Sequence, residues 1–177
     1  MEQQELMEIL DQRLASVDSS KVTANNTGFK NLPDGYYNCE LVEATLTTSK
    51  SNKVMIKGKF KVFEDGLKEV FDEATGSSEL VISKGSKNRL IWINWLFDTD
   101  ANTEKFISDM KKFEDEDGNQ ILPEEAFKMS SMLLDSLDAI KGLHVYIMLQ
   151  TVEKNGEENQ YSNLISWSRA KQLDLPL

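Results

Sequence analysis

The chain has one cysteine, Cys39, and also only three prolines and one histidine among 177 residues. A single cysteine excludes both an intrachain disulfide and a cysteine-based zinc site. The longest apolar run, Leu90 to Phe97, is far shorter than the ~20 residues that span a membrane. Cations are scarce as well, since 20 lysines and arginines face 30 acids, giving a net charge of −10. These shortages predict a cytoplasmic protein without a membrane span, whose surface as a whole does not attract nucleic acid.

The few cations are concentrated in one segment. Residues 44 to 63 contain five lysines and no acid. From Val54 to Val62 the sequence alternates, and a strand sends alternate side chains to opposite faces. Lys57, Lys59 and Lys61 are therefore predicted to share one face, while the opposite, core-facing set is Val54, Ile56, Phe60 and Val62. Gly58 has the core parity, and its missing side chain favours a bend of the strand there.

The order of predicted elements defines the fold class. We expect an amphipathic helix over 1–17, a linker over 18–31, a domain over 32–168 and a C-terminal tail over 169–177. Within the domain, about five antiparallel strands with helices inserted late predict a mainly β protein with helices. The OB-like five-stranded barrel is the leading architecture. A twisted open sheet packed against helices is the alternative.

Several local signals support this order. The strand from Tyr36 to Leu46 loses its alternation near Leu41-Val42, as a β-bulge requires. Residues 64–79 are acidic and predicted to be irregular. Helices are predicted over 103–113 and from Pro123 to Gly142. Asn155-Gly156 is a strong hairpin signal between two final strands.

The N-terminal helix has an apolar stripe at helical spacing. The stripe comprises Leu6, Ile9, Leu10, Leu14 and Val17. It predicts packing of residues 2–17 either on their own domain or on a second copy of the chain, and the sequence favours neither.

No pattern of catalytic residues is visible. His144, the only histidine, lies mid-strand and is interpreted as structural. Lys84-Gly85-Ser86-Lys87 lacks the spacing of a phosphate-binding loop. Asp98-x-Asp100-x-Asn102 resembles the start of a calcium loop but lacks its glycine and terminal glutamate. We therefore predict a protein that is not an enzyme, with no metal and no cofactor; a Mg²⁺-dependent enzyme using carboxylates between 98 and 119 is the competing hypothesis.

A binding surface is the function that remains. Proteins that bind single strands combine cations along the phosphates with aromatic rings on which bases stack. The residues predicted to bind nucleic acid are Lys50, Lys53, Lys57, Lys59, Lys61, Lys84, Lys87, Arg89, Trp92, Trp95 and Tyr146. Only one parity of each strand faces outward, so either Trp92 or Trp95 is expected to be exposed; Tyr161 and Trp167 are further aromatic candidates. The competing interpretation is that the lysines protect a solvated edge strand from aggregation.

Several short motifs resemble a small bacteriophage family of single-stranded DNA-binding proteins with an OB-like fold. The motifs are Leu32-Pro-Asp-Gly-Tyr36, Glu43-Ala44, Thr48-Ser-Lys-Ser-Asn52, Met55-Ile56, Phe60-Lys-Val62, Arg89-Leu-Ile-Trp-Ile-Asn94 and the predicted hairpin 143–167. The resemblance covers about residues 30–168, and the chain departs from it in its N-terminal helix, its acidic 64–79 segment and its lack of an acidic tail. It implies a sequence-tolerant viral single-stranded DNA-binding protein of the host cytoplasm. Such a protein acts in DNA replication or recombination beside phage proteins of those pathways.

The acids support a different function. Residues 64–79 carry six acids against one lysine, and residues 98–126 carry ten acids against three lysines. An acidic phage protein can mimic DNA and block a host defence nuclease. In that alternative residues 98–126 form the active surface, and the lysine strand only keeps the protein soluble.

Overall fold

The computed structural model describes residues 2–16, 18, 20 and 32–176. The chain divides into two units, 1–31 and 32–177. The first contains helix α1, Gln3–Ala15, whose apolar side chains Leu6, Ile9, Leu10 and Leu14 are all exposed. Val17 and the predicted linker at 21–31 lie outside the described residues.

The second unit contains seven strands and three α-helices among its described residues. In chain order they are β1 Gly35–Thr48, β2 Val54–Val62, β3 Gly66–Asp72, β4 Ser77–Ser83, β5 Leu90–Leu96, α2 Asp100–Met110, α3 Ser130–Ala139, β6 His144–Lys154, β7 Glu157–Ile165 and α4 Trp167–Gln172. A short 3₁₀ helix, Glu124–Phe127, precedes α3. None of the described helices is long and apolar enough to cross a membrane.

The strands form one antiparallel open sheet around β1. One edge of β1 pairs with β2 over residues 39–48 and with β3 at Gly35 and Tyr36. The other edge of β1 pairs with β6 over residues 35–40. Outward from there β2 pairs with β5, β3 with β4, and β6 with β7. Among the described strands, β5 pairs only with β2 and β7 only with β6. The prediction of a β protein with helices is confirmed, whereas the closed five-stranded barrel is wrong.

The acidic segment explains part of that difference. Residues 64–79 are not irregular, because most of them form β3, the turn 73–76 and the start of β4. Each face of β3 mixes polar and apolar residues, since Leu67 and Phe71 share a parity with Glu69, and most of its side chains are exposed. The hairpin lengthens the sheet beyond the predicted strands.

The predicted irregularity in β1 is confirmed. The register with β2 shifts between Leu41 and Glu43, so that Leu41 lies opposite Phe60 and Glu43 opposite Lys59. A bulge of this kind increases the local twist of the strand. It allows one strand to pair with β6 at its start and with β2 over its second half.

The core lies on one face of the sheet and beneath α2 and α3. Ile56, Phe60 and Val62 are buried there as predicted. Val54, however, is 54% exposed; it is the first residue of β2, next to the β1–β2 turn. Phe106 and Met110 from α2 and Leu137 from α3 complete this cluster.

The helices differ from the predicted bounds. Helix α2 begins three residues earlier than predicted, because Thr99 caps it by accepting a hydrogen bond from the Asn102 backbone N–H at 3.1 Å. The long helix predicted from Pro123 is instead the 3₁₀ turn followed by α3. The extended Met129 separates these two elements.

The C-terminal part is more ordered than a tail. Asn155 and Gly156, with φ of 55° and 81°, form the two-residue turn of the β6–β7 hairpin. After it, α4 and the buried Leu175 pack on the outer face of the sheet against Tyr146 and Tyr36. This packing covers the part of the outer face that belongs to β6 and the start of β1.

Candidate nucleic-acid interface

A different part of the outer face, formed by β2 and β5, is open. Lys57, Lys59 and Lys61 lie directly opposite Asn94, Trp92 and Leu90 in the ladder. Cross-strand partners share a face of the sheet, so these side chains form one surface. We call it the Trp92 surface: Lys57, Lys59, Lys61, Leu90, Trp92 and Asn94.

Trp92 is the centre of this surface. Its side chain is 49% exposed. The Nζ atoms of Lys57 and Lys59 lie 4.6 Å and 5.5 Å from the centroid of its ring. Cation–π contacts at exposed sites are worth ~0.5–1 kcal/mol. The two lysines thus hold the indole on the surface and concentrate positive charge around it.

Trp95 belongs to the core and not to this surface. It is 3% exposed, and its Nε1 donates a hydrogen bond of 2.8 Å to Oδ2 of Asp109. Its ring also packs edge-on against Phe60 and Phe106, at centroid distances of 6.3 Å and 5.5 Å. The expectation that Trp95 contributes to an exposed site therefore does not hold. Trp92, which has the opposite parity in β5, faces outward instead.

Gly58 is part of the same arrangement. A Cβ atom at this position would lie 2.7 Å from Cζ3 of Trp95 and 3.1 Å from Cε2 of Phe60. The glycine therefore makes room for the buried indole directly behind Lys57 and Lys59. The core thereby fixes the strand that carries both lysines.

Tyr146, which was predicted to bind nucleic acid, is also buried and does not belong to the Trp92 surface. It is 4% exposed, its hydroxyl donates to the carbonyl of Pro176, and its ring packs edge-on against Trp167 at 5.5 Å. Burial raises the pKa of this phenol to about 12. Its position beneath the C-terminal segment leaves it without an accessible face for a base.

A cavity of about 310 Å³ adjoins the Trp92 surface, between the edge of β5 and the edge of β7. It is lined by residues 92–96, Asn102, Lys105 and residues 160–162. Tyr161 is 49% exposed, as is Trp92. The lining therefore combines two aromatic side chains with the amide of Asn94. The amide nitrogens of Asn102 and Gln160 already donate to Asp98 and to Leu32 and Asp34, respectively.

The sequence pattern did not single out this cavity. Tyr161 is one of several aromatic candidates there, and Lys105 lies in a segment dominated by acids. The Nζ of Lys105 lies 3.2 Å from Oδ2 of the buried Asp109. That carboxylate also contacts Lys112 at 3.0 Å, so it holds two cations at this end of α2.

The other predicted cations lie elsewhere. Lys53 pairs with Asp98 at 2.8 Å, and hydrogen bonds from Lys53 and Asn102 lower the pKa of Asp98 to about 2. Lys50 is exposed in the turn between β1 and β2. Lys84, Lys87 and Arg89 belong to the loop that joins β4 to β5. The eight predicted cations thus do not form one continuous strip.

Three of the ten acids in 98–126 have clear structural roles. Asp109 supports Trp95, and Asp98 supports Lys53 and Asn102. Asp115 accepts hydrogen bonds from the backbone N–H groups of Asp117 and Asn119 and so stabilises the 115–119 turn. Within the described ranges no group of three or more His, Cys, Asp or Glu side chains is arranged to hold a metal ion.

Comparisons with known proteins add no identity. A scan against models of protein families and a search of curated proteins both find no match for the chain. Function is therefore inferred from the Trp92 surface and its adjoining cavity.

Proposed function

We propose that the protein binds single-stranded DNA, without catalysis and with tolerance for sequence, through the Trp92 surface and the cavity beside it. The observation that carries the proposal is a half-exposed tryptophan with two lysine ammoniums within 5.5 Å of its ring centroid. This pairing on a protein of net charge −10 concentrates positive charge beside an aromatic platform. Single-strand binders use these two components together.

The free energies of interaction favour stacking of a base on the Trp92 ring over the existing contacts of the lysines with that ring. Stacking of a base on an aromatic side chain is worth ~1–3 kcal/mol, while each exposed cation–π contact is worth ~0.5–1 kcal/mol. A base can therefore take the ring face while Lys57 and Lys59 turn toward the phosphates on either side. Neither lysine has a carboxylate partner among the described salt bridges, so no ion pair has to be broken.

The cavity extends the same surface to a second base. Tyr161 lies on its β7 side, and Lys105 provides a third ammonium on its α2 side. The strand path in this proposal runs along the β5 edge, from Trp92 toward Tyr161. Asn94 then meets base edges with an amide that both donates and accepts, which is compatible with any base. The Gln160 Nε2 is already engaged, since it donates to the Leu32 carbonyl and to Asp34.

The fold supports the resemblance to phage single-strand binders. Five of the strands pair in the order β5-β2-β1-β6-β7, with helices between β5 and β6, and this is compatible with a partly open OB-like sheet whose outer strands β5 and β7 stay apart. The resemblance of the sequence motifs leads us to propose a role in phage DNA replication or recombination, in the host cytoplasm. The proteins of those pathways are its proposed partners.

A titration of dye-labelled oligo-dT tests the proposal. We expect a rise in fluorescence anisotropy that saturates, with log K falling linearly as log salt rises. Duplex DNA of the same length is the control and should bind more weakly, because its bases are not available for stacking. Absence of binding to oligo-dT at low salt would sink the proposal.

The DNA-mimic alternative makes the opposite prediction. It uses the acids of 98–126 as a contact surface, although three of these ten, Asp98, Asp109 and Asp115, already hold Lys53, Trp95 and the 115–119 turn. If oligo-dT does not bind and a purified nuclease is inhibited, the mimic would replace the present proposal.

A further inference from the structure

The strand β4, Ser77–Ser83, is an outer strand of the sheet. It pairs with β3 along one edge and with no other strand among those that the structure describes. An outer strand presents a row of backbone N–H and C=O groups that can pair with another chain. The seven residues of β4 follow β3 without a register shift, so this row is uninterrupted.

The hydrogen bonds of β3 identify the backbone groups that form this row. The Gly66 N–H points toward the β4 side, where it donates to Oγ of Ser86 in the loop that follows β4. Because backbone groups alternate in direction along a strand, the even-numbered residues of β3 bond to β4. Their ladder partners are the odd-numbered residues of β4. The N–H and C=O groups of Ser78, Leu80 and Ile82 therefore point away from β3.

The side chains beside this row are mostly apolar. Leu80 and Ile82 lie on one face of the hairpin together with Phe71, which is the cross-strand partner of Ser78. Phe71 is 62% exposed and Ile82 60%, and Leu80 is exposed as well. Outer strands are commonly protected from pairing by several charges, a proline or a bulge. In β4 the one charged residue is Glu79, whose side chain lies on the opposite face.

We propose that β4 pairs antiparallel with β4 of a second copy of the chain, around a two-fold axis at Leu80. Leu80 is the middle residue of β4, so each of the seven residues has a partner in this register. The pairs between the copies include Leu80 with Leu80, Ser78 with Ile82, and Glu79 with Val81. The residues whose backbone groups point away from β3 meet each other. Three such pairs, each exchanging two N–H···O bonds, give about six hydrogen bonds.

Charge and side-chain pairing favour this register and a second copy as the partner. A two-fold axis at Glu79 would place two carboxylates directly opposite each other, which is destabilising. An axis at Val81 would pair residues 79–83 alone and leave the start of β4 without a partner. With the axis at Leu80, each Glu79 faces a valine, and the exposed Leu80 and Ile82 of both copies join on one face. The interface uses the same strand of each copy and therefore closes at two copies.

Sedimentation velocity of the full chain without DNA tests the pairing. We expect a concentration-dependent species with twice the chain mass of 20.1 kDa. Leu80→Lys would place two ammonium groups opposite each other at the axis, and it should raise the dissociation constant about tenfold or more. Leu80 is exposed, so the substitution leaves the core intact, and circular dichroism verifies that the variant folds.

A mixture of two variants tests the position of the axis. Leu80→Lys and Leu80→Glu should each be monomeric at a concentration at which the wild type is dimeric. Mixed in equal amounts, they should form a heterodimer, because an ammonium then faces a carboxylate. The matched control is Leu6→Lys, which changes an exposed leucine of α1 in the same way and should leave the dimer intact.

Hydrogen exchange locates the interface residue by residue. In the wild-type dimer the amides of Ser78 and Ile82 should exchange more slowly than in Leu80→Lys, because the partner strand protects them. The amides of Glu79 and Val81 face β3 and should be protected equally in both proteins. Equal exchange at Ser78 and Ile82 in the two proteins would contradict the pairing.

This interface goes beyond the proposed function, because it forms without DNA and does not include the Trp92 surface. A wild type that is monomeric at every concentration, a dimer of equal strength in Leu80→Lys, or loss of the dimer in Leu6→Lys alone would overturn the proposal. The absence of a heterodimer in the mixture would overturn it as well. A dimer that forms as expected but does not bind oligo-dT contradicts the proposed function alone.

Discussion

The ammonium nitrogen of Lys57 lies 4.6 Å from the centroid of the Trp92 ring, although the two residues belong to different strands and are diagonal neighbours in the ladder. Lys59, directly opposite Trp92, approaches the same ring at 5.5 Å. The indole is therefore held in position before any ligand arrives. A platform that is already ordered loses little side-chain entropy when a base stacks on it.

Replacement of this platform should weaken binding strongly. For Trp92→Ala we expect the affinity for oligo-dT to fall about tenfold or more, because ~1–3 kcal/mol of stacking is lost. Anisotropy titration measures the change. Leu90→Ala is the matched control, since Leu90 lies on the same face and is 45% exposed. Equal losses in the two variants would show that the indole does not stack.

The lysines beside Trp92 should determine the salt dependence. For Lys57→Gln/Lys59→Gln we expect the slope of log K against log salt to become shallower by about 0.7 for each lysine that no longer neutralises a phosphate. Titrations at three or more salt concentrations give this slope. Lys128→Gln/Lys171→Gln removes the same charge away from the Trp92 surface and should leave the slope intact. An unchanged slope in the first variant would exclude phosphate binding by these lysines.

A methyl group at position 58 should destabilise the fold. Its Cβ would lie 2.7 Å from the ring of the buried Trp95, and overpacking of a core costs ~1–3 kcal/mol. Urea unfolding followed by circular dichroism measures the free energy of unfolding of Gly58→Ala. The same substitution in a Trp95→Phe background should cost less, because the clashing ring atoms are gone. Additive effects of the two changes would contradict the proposed contact.

The carboxylate beneath Trp95 should contribute to stability through its acceptor oxygen. Asp109 is 1% exposed and accepts from Trp95 Nε1 at 2.8 Å. Asp109→Ala leaves that buried donor without a partner and should cost ~1–3 kcal/mol. Asp109→Asn keeps an acceptor for Nε1 and should cost less. Equal unfolding free energies for the two variants would rule out this role.

The pair formed by Lys53 and Asp98 predicts a pH effect. Hydrogen bonds from Lys53 and Asn102 lower the pKa of Asp98 from 3.8 to about 2. Since the folded-state pKa is depressed, the stabilisation is present above the unfolded value of 3.8 and is lost as the pH falls through about 2. In Lys53→Gln the pKa should rise toward 3.8, as followed by the NMR shifts of the Asp98 side chain. A pKa that stays at about 2 in this variant would assign the shift to Asn102 instead.

The strict alternation of polar and apolar residues in β2 made part of the fold predictable from the sequence. The parity of β2 correctly separates the lysines from Ile56, Phe60 and Val62, and the Asn155-Gly156 turn sets the register of the last hairpin. The β3–β4 hairpin was missed because its apolar residues face solvent, so burial does not pattern the sequence there.

The site was harder to predict than the fold. Trp92 and Trp95 are the same residue type in the same strand, so the sequence does not distinguish them. Only the packing of Trp95 against Phe60, Phe106 and Asp109 decides which indole is exposed. Tyr161 lies 69 residues from Trp92 in the chain. Their approach depends on the long-range pairing of β6 with β1, which no local signal encodes.

The opposite placement of Trp92 and Trp95 on β5 also gives the protein two intrinsic optical reporters. An indole in contact with water emits at longer wavelength than one enclosed by aromatic rings. The red component of the emission spectrum therefore responds to what touches the surface, and the blue component responds to whether the interior is intact. With the third tryptophan removed by Trp167→Phe, one unlabelled sample thus distinguishes a ligand that binds the folded protein from one that unfolds it.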